Sequence, residues 1–485
     1  MARKLVVRTC LPVIIAMLAA CATNPVTGQR ELSLMSESQE IETGKQLDAE
    51  VRRQMGVYGD AELQRYVSEV GQRLARTSHR PNLPWHFTVV DQPAVNAFAL
   101  PGGYIYITRG ILPFLDNEAE FAGVLGHEIG HVTARHSAAA YSKATSAGVG
   151  LALLGIFVPS TRPLQGLAET ALGVLFLKHG RDDELEADRL GAEYTAKNGW
   201  DPEGIAGMLT TLARIDEASG SRRGVPNWLS THPAPADRVQ QVHASVEKAK
   251  ASAPRGQFAR NEDGFLNRID GIVYGDSPEQ GVVRGNRFLH GDLRFAIEFP
   301  EGWEIQNAPS QVAAKAPREE AYMVLQLVQE PRGSLEDTAL ASMQGAGLRL
   351  VEGNRGQING LPAFVGTYQG TVEGLGRVVV RAAHLEHQRR VFLVAGMAPQ
   401  EVFSRVDGAI TRSISSFDPL SPEEAARIRA NRIDVYTVRP GDTWQRIASR
   451  ASEGNIKPET LAIMNHYPVN EQPRPGDRIK VVVSG

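Results

Sequence analysis

At 485 residues the chain is longer than a single hydrophobic core sustains, so several domains are expected. Its 42% apolar and 22% charged content is ordinary for a folded globular protein, and a net charge of −3 gives no basis for a nucleic-acid partner. Neither figure identifies an activity.

Arg3, Lys4 and Arg8 precede an apolar stretch over 11–20, shorter than the roughly 20 residues a spanning helix needs. The pattern reads as a secretory signal. Its end, Leu18-Ala19-Ala20-Cys21, resembles a bacterial lipobox, and the competing reading is an ordinary signal with a chance cysteine. The resemblance implies cleavage before Cys21 and lipidation of its sulfur, which anchors the chain to a membrane. Ala22, in place of an aspartate, points to the periplasmic face of the outer membrane. Cys10 lies in the removed segment, so the mature chain has no thiol left for a disulfide.

Residues 21–35 read as a polar tether. Helical spacing of apolar residues then begins, over 38–55 (Ile41, Leu47, Val51) and 61–75 (Leu63, Tyr66, Val67, Val70, Leu74). Residues 87–90 and 104–108 read as strands, with Pro101-Gly102-Gly103 before the second. One helix is predicted over 118–139. Residues 144–177 are apolar and glycine-rich, which fits a buried helical hairpin or an interfacial lid over a cleft. Helices follow over 182–198, 204–218 and 236–250, and Pro, Gly, Ser and Asn then mark a linker over 251–285. Residues 286–418 alternate as strands broken by two helical segments, which predicts a small α+β domain with an antiparallel sheet. Phe295 to Trp303 resembles the opening of small sheet domains of the PsbP/Mog1 type. Residues 419–435 read as a charged helical linker.

The chemistry centres on His127-Glu128-Ile129-Gly130-His131. Positions four apart share a helix face, so both imidazoles can reach one metal ion, and Glu128 sits beside them where it can take a proton from water. A pair of surface histidines would give the same five letters. However, the motif follows Phe121, Val124 and Leu125 on a helix that must be largely buried, where unpaired histidines are costly. Downstream, Glu184 and Asp188 are four apart on the next helix, which suits one as a third ligand and one as acceptor for a ligating histidine's free N–H. Glu186 is the competing ligand, about 200° around that helix from Glu184. An acidic solvated face remains the plainer reading of Asp182 and Asp183.

His127 to His136, followed by Glu184-Leu185-Glu186-Ala187-Asp188, resembles the HtpX/Oma/BepA-like zinc metallopeptidases, a gluzincin family, over roughly residues 30–250. The resemblance implies a mainly α, zincin-type domain over 36–250 with a small β-sheet. It further implies one Zn²⁺ held by His127, His131 and Glu184, with Glu128 as base and Asp188 behind a ligand. Asn96, Ala97, Phe98 and Ala99 match the strand beside the cleft, and an edge strand can hold an extended substrate through main-chain hydrogen bonds. His232, in Ser230 to Arg238, can reach the fourth zinc position and block it or polarise an oxyanion. Arg238 is a second oxyanion candidate. His136, five residues past His131, is expected to point elsewhere and serve structure. The flanking membrane spans of HtpX are missing, so the likeness is to the soluble members.

Residues 436–482 open on Tyr436 to Trp444 and close on Arg474-Pro475-Gly476-Asp477-Arg478, resembling a βααβ LysM module, which implies peptidoglycan binding. The expected protein is a lipid-anchored endopeptidase acting on unfolded or misassembled envelope proteins between membrane and cell wall. The competing readings are a holdase or outer-membrane assembly factor using the same cleft without cutting, and a cell-wall hydrolase directed by the glycan module.

Overall fold

The computed structural model describes residues 21–28, 30–32, 35–146, 179–219, 228, 232, 238–254, 256–372, 375–451 and 456–484. The signal at 1–20, most of the apolar stretch at 144–177, and residues 230, 231 and 233–237 around His232 lie outside them. Two units separate: one combines the described residues up to Ile272 with Ile433–Val483, the other is Val273–Arg432.

The first unit opens on a hairpin rather than the tether expected over 21–35. Strand β1 (Cys21–Thr23) pairs antiparallel with β2 (Arg30–Leu32), and Asn24 Oδ1 accepts from Val26 and Thr27 N–H to close the turn. Helix α1 (Glu37–Met55) starts at a capping box formed by Ser36 and Gln39, and buries Leu47, Val51 and Met55 at four-residue steps. Helix α2 (Ala61–Arg76) is capped by Asp60, whose carboxylate accepts from Glu62 and Leu63 N–H.

A three-stranded sheet follows, with β5 (Tyr104–Thr108) between β3 (His86–Val90), to which it runs parallel, and β4 (Ala97–Leu100), to which it runs antiparallel. β5 is buried at every position, and β4 lies at the edge. Gly102 has φ +81°, and a Cβ there would lie 2.6 Å from Ile41 Cα, so only glycine lets the turn into β5 pass α1.

Helix α3 (Glu118–Thr133), capped by Asn117, is buried along nearly its whole length. The single helix predicted over 118–139 is in fact two, because α3 stops and α4 (His136–Ser146) starts after Arg135 at φ +65°. Helices α5 (Arg181–Lys197), α6 (Glu203–Ser219), α7 (Arg238–Ser252) and α8 (Glu262–Ile269) complete the helical part of this unit up to Ile272. Helix α8 falls within the expected linker at 251–285 and buries Phe265, Leu266 and Ile269, with Phe265 against Phe121 of α3.

The same unit holds the βααβ module, made of strand Asn431–Thr437, helices Trp444–Ala451 and Pro458–Met464, and strand Arg478–Ser484. The linker expected at 419–435 is helical only over Pro422–Ala426, because the first module strand already begins at Asn431. Lys480, fully buried, donates to Leu115 O at 2.7 Å and pairs with Asp116, while Arg214 donates to His466 O at 3.2 Å. These contacts fasten the module to the approach to α3 and to α6.

The second unit is α+β. Its seven-stranded antiparallel sheet runs in the order Glu304–Ala308, Gln311–Lys315, Tyr322–Leu327, Arg390–Pro399, Gly376–His387, Leu361–Val372, Arg349–Ile358. Alternation sorts Val379, Ala383, Leu385, Phe392 and Val394 into one core, together with residues of helix Gln400–Ser415. Val378, Val380, Ala382, Leu393 and Ala395 join Met343 of helix Leu335–Gly345 in another. A smaller antiparallel sheet contains Phe295–Glu298. No described helix is long and apolar enough to cross a membrane.

Candidate metal centre

Two imidazoles one turn apart on α3 face α5, and small residues set how closely the helices approach. A Cβ on Gly126 would lie 3.1 Å from the Gly191 backbone, and one on Gly130 would lie 3.1 Å from that of Ala187. A side chain at either position would crowd the facing backbone. The glycine inside the His-Glu motif therefore favours the close approach at which a carboxylate on α5 reaches both histidines.

Glu184 Oε1 lies 3.4 Å from His131 Nε2, and Oε2 lies 3.7 Å from His127 Nε2, with the two Nε2 atoms 3.0 Å apart. His232 joins them, its Nδ1 2.9 Å from Glu184 Oε1 and 3.3 Å from His127 Nε2. One donor atom from each of these four buried residues lies within 4.8 Å of the others. Three imidazole nitrogens and a carboxylate oxygen converging on one point form a donor set suited to tetrahedral zinc. Glu128 is 1% exposed, and neither of its oxygens has a hydrogen-bond partner among the described residues. His232 Nε2 faces Glu128 Oε1 at 3.6 Å, and a buried carboxylate without a hydrogen bond is costly, so the residues present fit a cation with water beside it.

Asp188 Oδ1 accepts from His127 Nδ1 at 2.9 Å, which leaves Nε2 as the lone-pair atom toward the cluster. Arg238, expected at an oxyanion, is committed elsewhere. Its Nε and Nη2 donate to Asp188 at 2.6 and 2.8 Å, and its Nη1 lies 2.7 Å from Glu184 Oε2. Two fully buried carboxylates need a countercharge, and this guanidinium, lying over the Trp228 ring, supplies it. Trp228 also stacks on His232 with centroids 4.5 Å apart.

Burial alone would raise the Glu184 carboxyl, yet the His232 charge and the hydrogen bonds from His131 and His232 hold it well below the usual carboxylate range. Burial likewise opposes ionisation of Asp188, and Arg238 reverses that. Burial pushes His131 well down, which favours the neutral imidazole a metal needs. His232 shows the opposite net shift: burial lowers it, but the Glu184 and Glu128 charges raise it further.

Glu186, the rival ligand, lies away from the cluster with Oε2 3.3 Å from His136 Nε2. His136 does not point elsewhere, since its Nδ1 is 3.0 Å from His131 Nδ1; the break at Arg135 turns it back. His179 was not anticipated. Its ring stacks on His131 with centroids 4.0 Å apart, and burial pushes its pKa down to about 3. The only sequence signal was a histidine just ahead of Gly180, where the acidic helix starts.

Of the expected substrate strand, Asn96, Ala97 and Phe98 are buried. Asn96 Oδ1 accepts from Ala97 N–H, Ala99 O accepts from Ser137 Oγ, and Val95 O accepts from Trp228 N–H. The edge is therefore partly satisfied from within the chain.

Residues 61–246 match the family described as Peptidase family M48, and residues 436–482 match the LysM domain. The beta-barrel assembly-enhancing protease of Escherichia coli (strain K12) is 31% identical over 226 residues, covering 45% of this chain and 46% of that one. The mitochondrial metalloendopeptidase OMA1 of Schizosaccharomyces pombe is 31% identical over 235 residues, 47% of this chain and 66% of that one. The chain thus spans about half the length of the first relative and about two thirds of the second. A cyanobacterial PsbP from Synechocystis, at 13% identity, covers 28% of this chain and 95% of its own with a TM-score of 0.25, too low to establish a shared fold. Residues 61–246, with the His-His-Glu cluster at their centre, are a Peptidase family M48 metallopeptidase domain, and residues 436–482 are a LysM domain.

Proposed function

We propose that the chain is a zinc-dependent endopeptidase that cuts unfolded or misassembled proteins of the bacterial cell envelope. The observation that carries this reading is the convergence of His127, His131 and Glu184 beside Glu128, whose carboxylate accepts no hydrogen bond among the described residues. A zinc ion there supplies Lewis acidity, polarising an oxygen and easing loss of a proton from water at neutral pH. Glu128, which accepts no hydrogen bond among the described residues, would take that proton and return it to the leaving amine. Asp188 and Arg238 hold His127 and Glu184 in place. An extended polypeptide adds along Ala97–Leu100, displacing the internal bonds of Asn96 and Ser137.

The envelope assignment draws on the likeness to the Escherichia coli beta-barrel assembly-enhancing protease, the LysM domain and the lipobox-like Cys21. The LysM domain is proposed to bind peptidoglycan, and Cys21 to carry the lipid that holds the chain at the periplasmic face of the outer membrane. The test is digestion of an unfolded protein by the purified chain: cleavage should stop on chelation and return with added zinc. Cleavage that persists after complete metal removal would refute the reading.

His232 takes the place where a catalytic zinc site keeps an open position, so we propose that this arrangement is latent. His232→Ala is expected to cut an unfolded protein faster than wild type at equal zinc content. A variant that keeps its zinc and loses residual activity would instead place His232 in the reaction.

A further inference from the structure

The peptidase chemistry uses His127, Glu128, His131 and Glu184, but the surrounding cluster contains a histidine and a carboxylate with no part in it. His136 is 5% exposed, and both its ring nitrogens face a partner. Nδ1 lies 3.0 Å from His131 Nδ1, while Nε2 lies 3.3 Å from Glu186 Oε2 and 3.7 Å from Asp183 Oδ1.

Two facing ring nitrogens can share only one proton. His131 Nε2 points into the ligand cluster, 3.4 Å from Glu184 Oε1, so it must keep its lone pair to serve a metal. The His131 proton then sits on Nδ1 and is donated to His136 Nδ1. That makes His136 an acceptor at Nδ1 and a donor at Nε2, which faces the carboxylates of Glu186 and Asp183. Every proton in the chain has one position.

The backbone is built for this contact. On a continuous helix a residue five positions on lies about 140° around the axis and would face away. Arg135 at φ +65° breaks α3 from α4 and turns His136 back to His131. A left-handed arginine is strained and has to be held. Its guanidinium pairs with the buried Glu40 and donates to Met35 O. Arg80 ties Glu40 to the end of α3, donating to Glu40 Oε2 at 2.9 Å and to Val132 O at 3.1 Å.

We propose that His136 is a positioning residue, a bridge through which Glu186 fixes the tautomer and ring angle of His131 as Asp188 does directly for His127. Glu186 lies on the side of α5 away from Glu184 and meets no ligand itself; the interposed imidazole spans the gap. The proposal rests on the metal reading above, and the two fail differently. A wild-type chain that binds no zinc refutes that reading, whereas zinc binding indifferent to His136 refutes only the bridge.

The test is titration of the metal-free full chain with Zn²⁺ against a chromophoric chelator, alongside thermal unfolding of the metal-free protein. His136→Phe fills the site without hydrogen bonds and should weaken zinc binding by about 10–100-fold. His136→Gln offers an acceptor to His131 and a donor to Glu186, and should recover most of the loss, which a packing role alone would not produce. Glu186→Leu, at a partly exposed position, should weaken binding in the same direction by several-fold, and decides the matter if His136→Phe does not fold. Wild-type affinity in both the Phe and Leu variants overturns the proposal, as does a Gln variant no better than Phe.

Discussion

Glu128→Gln is expected to keep its zinc and lose about 10²–10⁴-fold in kcat on an unfolded polypeptide, the range a positioned general base contributes. The amide preserves size in a site where Glu128 is 1% exposed, so neither packing nor the ligand cluster is disturbed. What disappears is the ability to take a proton. Because both carboxylate oxygens lack hydrogen-bond partners among the described residues, the change breaks no hydrogen bond and removes only the 3.6 Å pairing of Oε1 with His232 Nε2. The variant should unfold close to the wild-type temperature, since removal of a buried charge offsets the loss of its 3.6 Å pairing with His232. Substrate capture should survive, which makes this variant the natural trap for a client protein. Steady-state kinetics with metal analysis on the same samples checks both halves. Retained cleavage with retained zinc would remove Glu128 from the mechanism.

Arg238→Ala is expected to be the most damaging single change to stability, at about 3–5 kcal/mol, the cost of breaking a buried ion pair from one side. The guanidinium is fully buried and serves Asp188 and Glu184 together, so its loss strands two carboxylates away from water. Denaturant unfolding of the metal-free protein measures this. The pH dependence has a definite sign. The Asp188 carboxyl is held below its ordinary value, so its contribution is present above the unfolded pKa of about 3.9 and is lost as pH falls through the folded value. Without Arg238, burial alone raises that carboxyl, and acid unfolding should begin at higher pH than in wild type. A variant as stable as wild type, with unchanged acid unfolding, would show that the two carboxylates find their countercharge elsewhere.

The ligand positions were legible because helical spacing is a local property. His127 and His131 are one turn apart, as are Glu184 and Asp188, and the amphipathic context set both pairs on helices before any tertiary contact was known. The family resemblance supplied the choice of Glu184 over Glu186. Arg238 was read as an oxyanion donor because sequence offers no measure of how many buried carboxylates compete for one guanidinium. The break after α3 was hidden for a similar reason. Nothing around Arg135 in sequence stops a helix, and its left-handed backbone depends on Glu40, a residue of a different helix. His136 was misjudged through that missed break. His179 stands alone in sequence, and its tertiary ring contacts with His131, His232 and His136 mark it.

Elsewhere the same division holds. The strands of the second unit followed from alternation, which separates Val379, Ala383 and Leu385 from Val378, Val380 and Ala382. Residues 251–285 looked like a linker because Pro, Gly and Asn punctuate them. Yet Phe265, Leu266 and Ile269 give α8 a short apolar stripe, which composition alone understated. The packing of the LysM domain on the peptidase part was not legible at all. It turns on Lys480, a residue whose burial against Leu115 and Asp116 no local pattern announces.

The central claim is that side chains from two separate helices close on one divalent ion. Metal analysis of the purified full chain after exhaustive dialysis tests it most directly, with Glu184→Ala beside wild type. The account predicts close to one zinc per wild-type chain and far less in the variant, whose cluster loses its anionic donor. A wild-type chain without metal, or a Glu184→Ala chain that keeps its full complement, would contradict it.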